Sequence, residues 1–154
     1  MKPMRRVDRQ MTETEALELL RQGEYGILST VDSEGRPYGI PLNYASAAGV
    51  VYVHCATTGA KLQNIAANAK VCFTVVGKTE VLPDKFATNY ESVIVSGSAA
   101  IIGDSEKIAA LEQFLYKYSP DFLESGREYI AKAQANTVVV KITIDQLSGK
   151  HRVG

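Results

Sequence analysis

The chain has 154 residues, 45% of them apolar and 22% charged, which predicts a single soluble domain with a sizeable core. Its 17 basic and 17 acidic residues cancel, so net charge gives no drive towards nucleic acid or an acidic membrane. Two cysteines exclude a disulfide scaffold, no apolar run approaches the length of a membrane span, and the basic N-terminus lacks the apolar stretch of a signal peptide; we expect a cytoplasmic protein.

The first 23 residues predict a loose arm followed by one short helix. Residues 1–10 are polar and have no periodicity, so we expect a flexible arm. Thr12 and Glu15 have the spacing of a capping box, and Leu17 and Leu20 lie on one face of the helix that follows. Gly23 ends that helix after about ten residues.

Three strands are predicted next. Segments 25–31 and 37–45 flank the turn Asp-Ser-Glu-Gly at 32–35, which is typical of a hairpin. Pro41 lies inside the second segment, and proline cannot donate to a ladder, so that position belongs to a sheet edge or a bulge. A third strand, Val50–Cys55, is apolar on both faces.

The remainder of the chain predicts three more strands and three helices. A helix at 58–68 precedes a strand at 70–76, a loop at 77–89 and a long strand at 90–103. Asp104 or Ser105 can cap a helix that ends before Ser119-Pro120. A short helix near Leu123–Ala133 leads to a last strand at 137–144 and a basic tail.

The order of these elements predicts the fold class. Strands and helices do not alternate throughout, which argues against a doubly wound parallel sheet. Six strands with clustered helices indicate an α+β, mainly β domain spanning residues 1–154. Its expected architecture is a six-stranded antiparallel barrel with flanking helices.

Lys61 is the most informative charged residue in the sequence. With Thr58 as the N-cap, it falls in the first turn of the 58–68 helix, where a cation opposes the helix dipole. One interpretation is a solvated surface lysine. The other is an anion site, because free amides at a helix start bind phosphate and a lysine adds charge.

The other reactive side chains do not assemble a catalytic constellation. His54 lies at a strand end, where a lone histidine is more often a packing residue than a catalyst. The second histidine, His151, is far along the chain, and no residue set has the spacing of a metal site. Cys55 and Cys72 have the character of small buried hydrophobic residues. Any redox chemistry would therefore have to come from a cofactor.

Four segments resemble one family in order and spacing: YGILSTVDSEGRPYGIPLNY, VYVHCATTGAKLQNIAANAKVCFTVVG, NYESVIVSGSAAII and LSGKHR. Together they cover about residues 7–152. They are similar to the pyridoxamine 5′-phosphate oxidase-related split-barrel flavoproteins, and within these to the nitroimidazole-resistance branch. The resemblance implies a six-stranded split barrel and a homodimer with FMN at the interface.

The resemblance also implies roles for individual residues. Lys61 matches the phosphate-binding lysine of the family, whereas Ala60 stands where the oxidase has an arginine. His54 matches a histidine that recurs near the flavin in the nitroimidazole-resistance branch, and it is the expected catalytic residue if there is one. The expected cofactor contacts are Pro41, Leu42, Asn43, Tyr44, His54, Cys55, Ala56, Thr58, Lys61, Ser92 and Arg152.

Three functions are compatible with the sequence. The first is an FMN-dependent oxidoreductase that reduces a small electron-poor substrate such as a nitro-heterocycle. The second is a flavin carrier or redox sensor without turnover, and the third is a split-barrel binder of deazaflavin or haem. The tail LSGKHR lacks the fuller arginine-histidine pattern of the oxidase, which argues against pyridoxamine phosphate oxidation.

Overall fold

The computed structural model describes residues 2–154 and contains one antiparallel sheet with helices around it. The helices are α1 (Glu13–Gln22), α2 (Ala60–Ala67), α3 (Asp104–Tyr118) and α4 (Leu123–Ala133). The strands are β1 (Gly26–Val31), β2 (Pro37–Leu42), β3 (Ala45–Ala47), β4 (Val50–Cys55), β5 (Lys70–Leu82), β6 (Ala87–Ile101) and β7 (Val138–Arg152). The domain is therefore mainly β, as the sequence predicted.

The sheet has seven strands in the order β2-β1-β5-β6-β7-β4-β3, rather than the six predicted. The extra strand arises because the predicted strand at 37–45 is interrupted at Asn43 and Tyr44. The amide of Tyr44 donates to the hydroxyl of Tyr118 at 3.1 Å, and its carbonyl accepts from Lys117 Nζ at 3.0 Å. Helix α3 thus satisfies backbone groups that a continuous strand would have paired within the sheet. Within residues 2–154, β2 and β3 are the two ends of the pairing order, so the ladder is not closed.

Strands β5 and β6 are longer than predicted, and the predicted loop at 77–89 is wrong. β5 continues to Leu82 and β6 begins at Ala87, so most of that segment is a paired two-stranded arm. A 3-10 turn at Pro83–Lys85 joins the strands, and Phe86 takes the left-handed conformation with φ 47°. Most side chains of this arm are exposed, and they show no alternation of apolar and polar residues that would predict strands. The arm is held together by backbone pairing between the two strands.

Strand β7 includes most of the residues that were predicted to form a basic tail. It runs antiparallel to β6 as far as Arg152, which pairs with Tyr90. The end of the predicted arm also lies against β7, because Gln10 bridges to Lys150 and the Met11 amide donates to the Gly149 carbonyl at 3.0 Å. The flexibility of the residues before Gln10 stays a prediction.

The main core lies on the inner face of the sheet, beneath α1. Val51, Val53 and Phe73 are fully buried there with the ring of Tyr44, which meets Phe73 edge to face at 4.9 Å. Helix α1 begins with the predicted capping box, in which Thr12 and Glu15 exchange hydrogen bonds. A second, smaller cluster lies under α3 and α4 and contains Ala110, Leu111, Ile130 and Val139.

Candidate cofactor site

The turn between β4 and α2 contains Lys61 and carries the strongest site prediction. Gly59, with φ 146°, is the N-cap of α2, so the prediction of Thr58 as the N-cap is wrong. Only glycine adopts that backbone conformation without strain, and it turns the chain sharply after Thr58. No side chain caps this helix among the described residues, so its first amides are available to a ligand.

Lys61 is the second residue of α2, its side chain is half-buried, and its ammonium is near enough to Cys55 to act on the thiol. Burial raises the pKa of the Cys55 thiol, and the nearby Lys61 ammonium partly opposes that rise. The first turn of α2 contains no acidic residue, and no carboxylate in residues 2–154 forms an ion pair with Lys61. A cation and uncapped helix amides therefore lie in the same turn, which suits a phosphate group.

Helix α2 is held in place by a buried polar contact that sequence reasoning missed. Asn64 Nδ2 donates to Thr30 Oγ1 at 3.0 Å, and both side chains are buried. A buried amide and hydroxyl satisfy each other at low cost, so this bond fixes the helix on β1. An asparagine on an otherwise apolar helix face was the available signal.

His54 and Cys55 point to opposite sides of β4, because side chains alternate along a strand. Cys55 follows the inward alternation of Val51 and Val53, whereas the His54 ring meets Phe114 of α3 edge to face at 4.7 Å. Packing against α3 desolvates one side of the ring and lowers the pKa of His54, which favours the neutral imidazole. Its side chain faces the helices, and the strand end presents backbone atoms, Cys55 and Ala56 towards α2.

The four predicted ring-contacting residues surround the end of β2. Pro41 pairs with Ile27 in a strand at the edge of the sheet, which confirms the edge prediction. Pro41 and Asn43 are exposed, although Asn43 Nδ2 donates to the Glu24 carbonyl at 3.0 Å. Tyr44 is 0% exposed, so it is the least available of the four to a ligand.

Ser92 and Arg152 lie far from the turn that holds Lys61. Ser92 pairs with Lys150 and Arg152 with Tyr90, whereas Cys55 pairs with Val138 at the opposite end of β7. Val138 and Arg152 are 14 residue steps apart along β7, which corresponds to about 46 Å of strand. A single chain therefore divides the predicted site residues into two separate groups.

Lys117 and Tyr118 of α3 form a polar cluster that the sequence did not reveal as such. Lys117 Nζ lies 3.6 Å from the centroid of the Tyr44 ring, and burial lowers the pKa of this lysine to about 8. The Tyr118 hydroxyl lies 2.6 Å from the Glu24 carbonyl oxygen, to which it donates. The sequence suggested only that Tyr118 belongs to the apolar stripe of α3.

Two other kinds of site are not found in the described part of the chain. Residues 2–154 contain no group of three or more His, Cys, Asp or Glu side chains that could hold a metal ion. No helix within the same range is long and apolar enough to cross a membrane.

The fold is that of a class of antiparallel-sheet proteins, some of which are described as FAD-binding or haem-binding. A structure of the FAD and haem binding protein of Mycobacterium smegmatis matches with a TM-score of 0.82 over 95% of this chain and 74% of that one. Its sequence identity is 22%, so this likeness shows the fold alone.

The sequence pattern of the pyridoxamine 5′-phosphate oxidase family matches residues 12–151, and the chain belongs to that family. A proposed 5-nitroimidazole antibiotic resistance protein of Bacteroides thetaiotaomicron is 25% identical, with a TM-score of 0.78 over 92% of this chain and 86% of that one. An FAD-binding protein of Mesorhizobium loti is also 25% identical, with a TM-score of 0.72 over 94% and 98% of the two chains. No curated protein matches the chain.

Proposed function

We propose that this protein is a cytoplasmic, homodimeric FMN-binding oxidoreductase that reduces a small electron-poor substrate such as a nitroimidazole. The observation that carries the proposal is the arrangement of Lys61 at the uncapped start of α2, beside Cys55. The phosphate of FMN carries about two negative charges, which would offset the cost of a cation at the positive end of a helix. The similarity to an FAD-binding protein and to a proposed 5-nitroimidazole resistance protein supports the same class of cofactor and substrate.

The residues present fit a flavin mononucleotide. Lys61 and the first amides of α2 would bind the phosphate, and Ala60 lacks the charge that an arginine would add, so Lys61 would contribute more of the binding. The end of β4 and the loop after it would contact the ribityl chain through Cys55, Ala56, Thr58 and the backbone of His54, whose ring lies on the other face of β4. When bound, the flavin would supply the electrons, and the protein would orient it and exclude water.

The flavin ring would lie along the edge of β2. The missing amide of Pro41 leaves a gap in the row of donors at that edge, and a flat ring can lie there without leaving a donor unpaired. Leu42 and Asn43 would flank the ring, and Tyr44 would support it from the core. Ser92 and Arg152 would reach the flavin only from a second copy of the chain, which is our reason for proposing a site shared between two subunits.

We also infer that the sheet curls into the six-stranded split barrel of the family, with β3 as a short additional strand. The inner faces of β1, β4, β5, β6 and β7 contribute to one core cluster, which supports a curled sheet rather than a flat one. A core surrounded by strands on several sides is the arrangement expected of a small barrel.

The alternative function is a flavin carrier or redox sensor without turnover. The lowered pKa of His54 favours it, because a lower pKa reduces the protonated form that would donate a proton to a substrate. A haem or deazaflavin ligand in the same fold would be a variant of this alternative.

Absorption spectroscopy followed by a turnover assay tests the proposal. The purified protein, saturated with FMN and freed of excess, should show flavin bands at close to one FMN per chain. The anaerobically reduced protein should then be reoxidised by a nitroimidazole, with reduced product formed in proportion. A protein that takes up no FMN contradicts the proposal, and a flavoprotein that is not reoxidised leaves the carrier as the function.

A further inference from the structure

Tyr90 lies beside the two predicted cofactor residues that are remote from Lys61. Tyr90 and Ser92 are two residues apart on β6, so their side chains share one face of the sheet. Their partners on β7 are Arg152 and Lys150, and the side chains of directly opposite residues lie on the same face. Ser92 and Arg152 are therefore one diagonal of a four-residue patch, and Tyr90 and Lys150 are the other.

Two cations hold the hydroxyl of Tyr90. Lys150 Nζ lies 5.9 Å from the centroid of the Tyr90 ring, and the side chains of Arg9 and Lys150 donate hydrogen bonds to the Tyr90 oxygen. Desolvation raises the pKa of this phenol, but the two hydrogen bonds and charges outweigh it, so the pKa of Tyr90 is lowered. Arginine and lysine are donors only, so neither accepts the phenol proton, which can pass to a bound molecule.

Arg9 is held near Tyr90 by the docking of the N-terminal segment, residues 2–10, on β7. Gln10 bridges to Lys150, and the next amide, that of Met11, donates to the Gly149 carbonyl at 3.0 Å. Because these backbone contacts directly follow Arg9, its guanidinium is tethered to the strand pair that carries Tyr90.

The other charged groups around Tyr90 do not cancel the effect of these cations. Asp8 is the acidic residue of the N-terminal segment, and its Oδ1 accepts from Arg6 Nε at 2.8 Å. Glu91 follows Tyr90 in β6, so its side chain points to the opposite face of the strand. Thr79, the partner of Tyr90 on β5, is uncharged. The phenol therefore faces an excess of positive charge.

A hollow of about 500 Å³ opens beside this patch, between the N-terminal segment and the strands β6 and β7. Ser92 and Lys150 line it, together with apolar side chains that include Met4 and Val7. Within residues 2–154, its lining contains no aspartate or glutamate. The hollow is large enough for a small molecule to lie next to the Tyr90 patch.

We propose that Tyr90 is the residue that donates a proton to the substrate, and that Arg9 is its positioning residue. This inference rests on the proposed function, in which this part of β6 and β7 reaches the flavin of a second subunit. His54 is less suited to the role, because its ring packs against Phe114 on the other face of β4. A phenol whose anion is stabilised by two cations gives up its proton more readily.

The proton balance of nitro reduction has a place for this donor. Conversion of a nitro group to a nitroso group takes up two electrons and two protons, and one nitro oxygen leaves as water. The electrons and one proton would come from the reduced flavin. The Tyr90 hydroxyl would give the other proton, and its phenolate would regain a proton from water.

Ultraviolet titration of the flavin-free protein tests the acidity of Tyr90 without any turnover. The difference in tyrosinate absorbance between parent and Tyr90→Phe isolates this phenol, and its midpoint should lie below the ordinary value of 10.0. The same difference measured in an Arg9→Gln background should have a higher midpoint, and Arg9→Lys should restore the lower one in part. Arg5→Gln removes the same charge from the same segment and should leave the midpoint unchanged, because Arg5 does not act on the Tyr90 hydroxyl.

Two electron acceptors test the role of Tyr90 in turnover. The FMN-loaded, anaerobically reduced protein is mixed with a nitroimidazole, which consumes protons, or with ferricyanide, which takes electrons alone. Tyr90→Phe should slow the nitroimidazole reaction about tenfold or more and change the ferricyanide rate and the Kd for FMN by less than about twofold. In the parent, the nitroimidazole rate should fall as pH rises through the Tyr90 midpoint, and Tyr90→Phe should lose this dependence.

Three results would overturn the inference alone: a Tyr90 midpoint that is not lowered, Arg9 and Arg5 variants that respond alike, or a Tyr90→Phe variant that slows both acceptors equally. A parent that ferricyanide reoxidises and the nitroimidazole does not would instead contradict the proposed function, and the inference would fail with it.

Discussion

Tyr44 illustrates how one residue can organise a junction between strands and helices. Its hydroxyl donates to the Leu20 carbonyl oxygen at 2.5 Å. That carbonyl lies in the last turn of α1 and has no hydrogen-bond partner within the helix. Its backbone carbonyl and amide are bound by Lys117 and Tyr118 of α3. The side chain and backbone of Tyr44 together therefore link the end of α1, the start of β3 and the end of α3.

Tyr44→Phe should lower the free energy of unfolding by about 1–3 kcal/mol, because it leaves the Leu20 carbonyl buried without a donor. Urea denaturation followed by circular dichroism measures the change. Tyr25→Phe is the matched control, since the Tyr25 ring is exposed and should contribute almost nothing. Equal midpoints for the two variants would show that the Tyr44 hydroxyl is not a structural donor.

Lys117 gives stability a specific pH dependence. Its pKa is about 8 in the folded protein and 10.5 without burial, so between these values the unfolded chain binds more protons. Stability contributed by Lys117 therefore rises from pH 8 to pH 10. Burial of Cys55 and of Tyr44 raises the pKa of each group, which lowers stability as pH rises in the alkaline range. That contribution is the same in the parent and in a variant that lacks Lys117.

Lys117→Met isolates the contribution of this lysine. The difference in unfolding free energy between parent and variant should shift in favour of the parent as pH rises from 8 to 10. Urea titrations of parent and variant at several pH values give the pH dependence of the unfolding free energy of each protein. Parallel pH profiles would mean that Lys117 has an ordinary pKa.

At the scale of elements, the junction of β6 and β7 depends on the absence of a side chain at Gly97. The register of the two strands shifts between Ser96 and Gly97, and a Cβ at Gly97 would lie 2.2 Å from the Thr143 carbonyl oxygen. That contact is with backbone, so the strands themselves would have to move. Close approach of two strands at a bulge is a typical use of glycine within a sheet.

Gly97→Ala should lower the free energy of unfolding by about 1–3 kcal/mol or more through this clash. Gly39→Ala is the control, because a Cβ there makes only an ordinary contact of 3.6 Å with the Ile27 side chain. Thermal unfolding of the two variants beside the parent measures the difference. A Gly97→Ala protein as stable as the control would indicate that the strands are farther apart than described.

The elements also show which features local sequence can predict. The capping box of α1 and the bounds of β4 and α4 are encoded within a few residues, and they match the prediction. The break between β2 and β3 depends on Tyr118, which is 74 residues from Tyr44, and no local pattern predicts such a contact. The β5–β6 arm was missed for a similar reason, because its exposed polar residues gave no apolar alternation.

The same distinction applies to the candidate site. Lys61 was recognised from its position in a helix turn, which is local information. The relation of Ser92 and Arg152 to the β4–α2 turn depends on the length and curvature of β7, and the contact of His54 with Phe114 depends on the packing of α3 over β4. Neither is visible in residue spacing.

On the scale of the whole molecule, an apolar row crosses the outer face of the sheet. Ile27 pairs with Thr74, and Thr74 pairs with Ile94, so the three side chains lie side by side on β1, β5 and β6. Ile27 is 37% exposed and Ile94 40%, although both lie in the middle of the sheet. Such a row is suited to burial against a second copy of the chain. It also lies on the same sheet region as Ser92, which the proposed site needs from a second subunit.

Ile94→Glu should therefore dissociate the proposed dimer. Light scattering after size exclusion should give twice 16.7 kDa for the parent and 16.7 kDa for the variant. Ile101→Glu is the control, because Ile101 is an exposed apolar residue of the same strand but lies beyond this row. A monomeric parent, or a variant that remains dimeric, would contradict the interface.

The proposed function requires that Lys61 binds the phosphate of FMN at the start of α2, and an equilibrium titration of FMN against parent and Lys61→Ala measures this contact. We expect about one FMN per chain for the parent. We also expect a loss of about 1.5–3 kcal/mol in the variant, which is more than a tenfold rise in Kd. Gln63→Ala, on the exposed side of the same helix, should bind as the parent does. Equal affinities for parent and Lys61→Ala, or a parent that binds no FMN, would show that Lys61 does not hold a flavin phosphate.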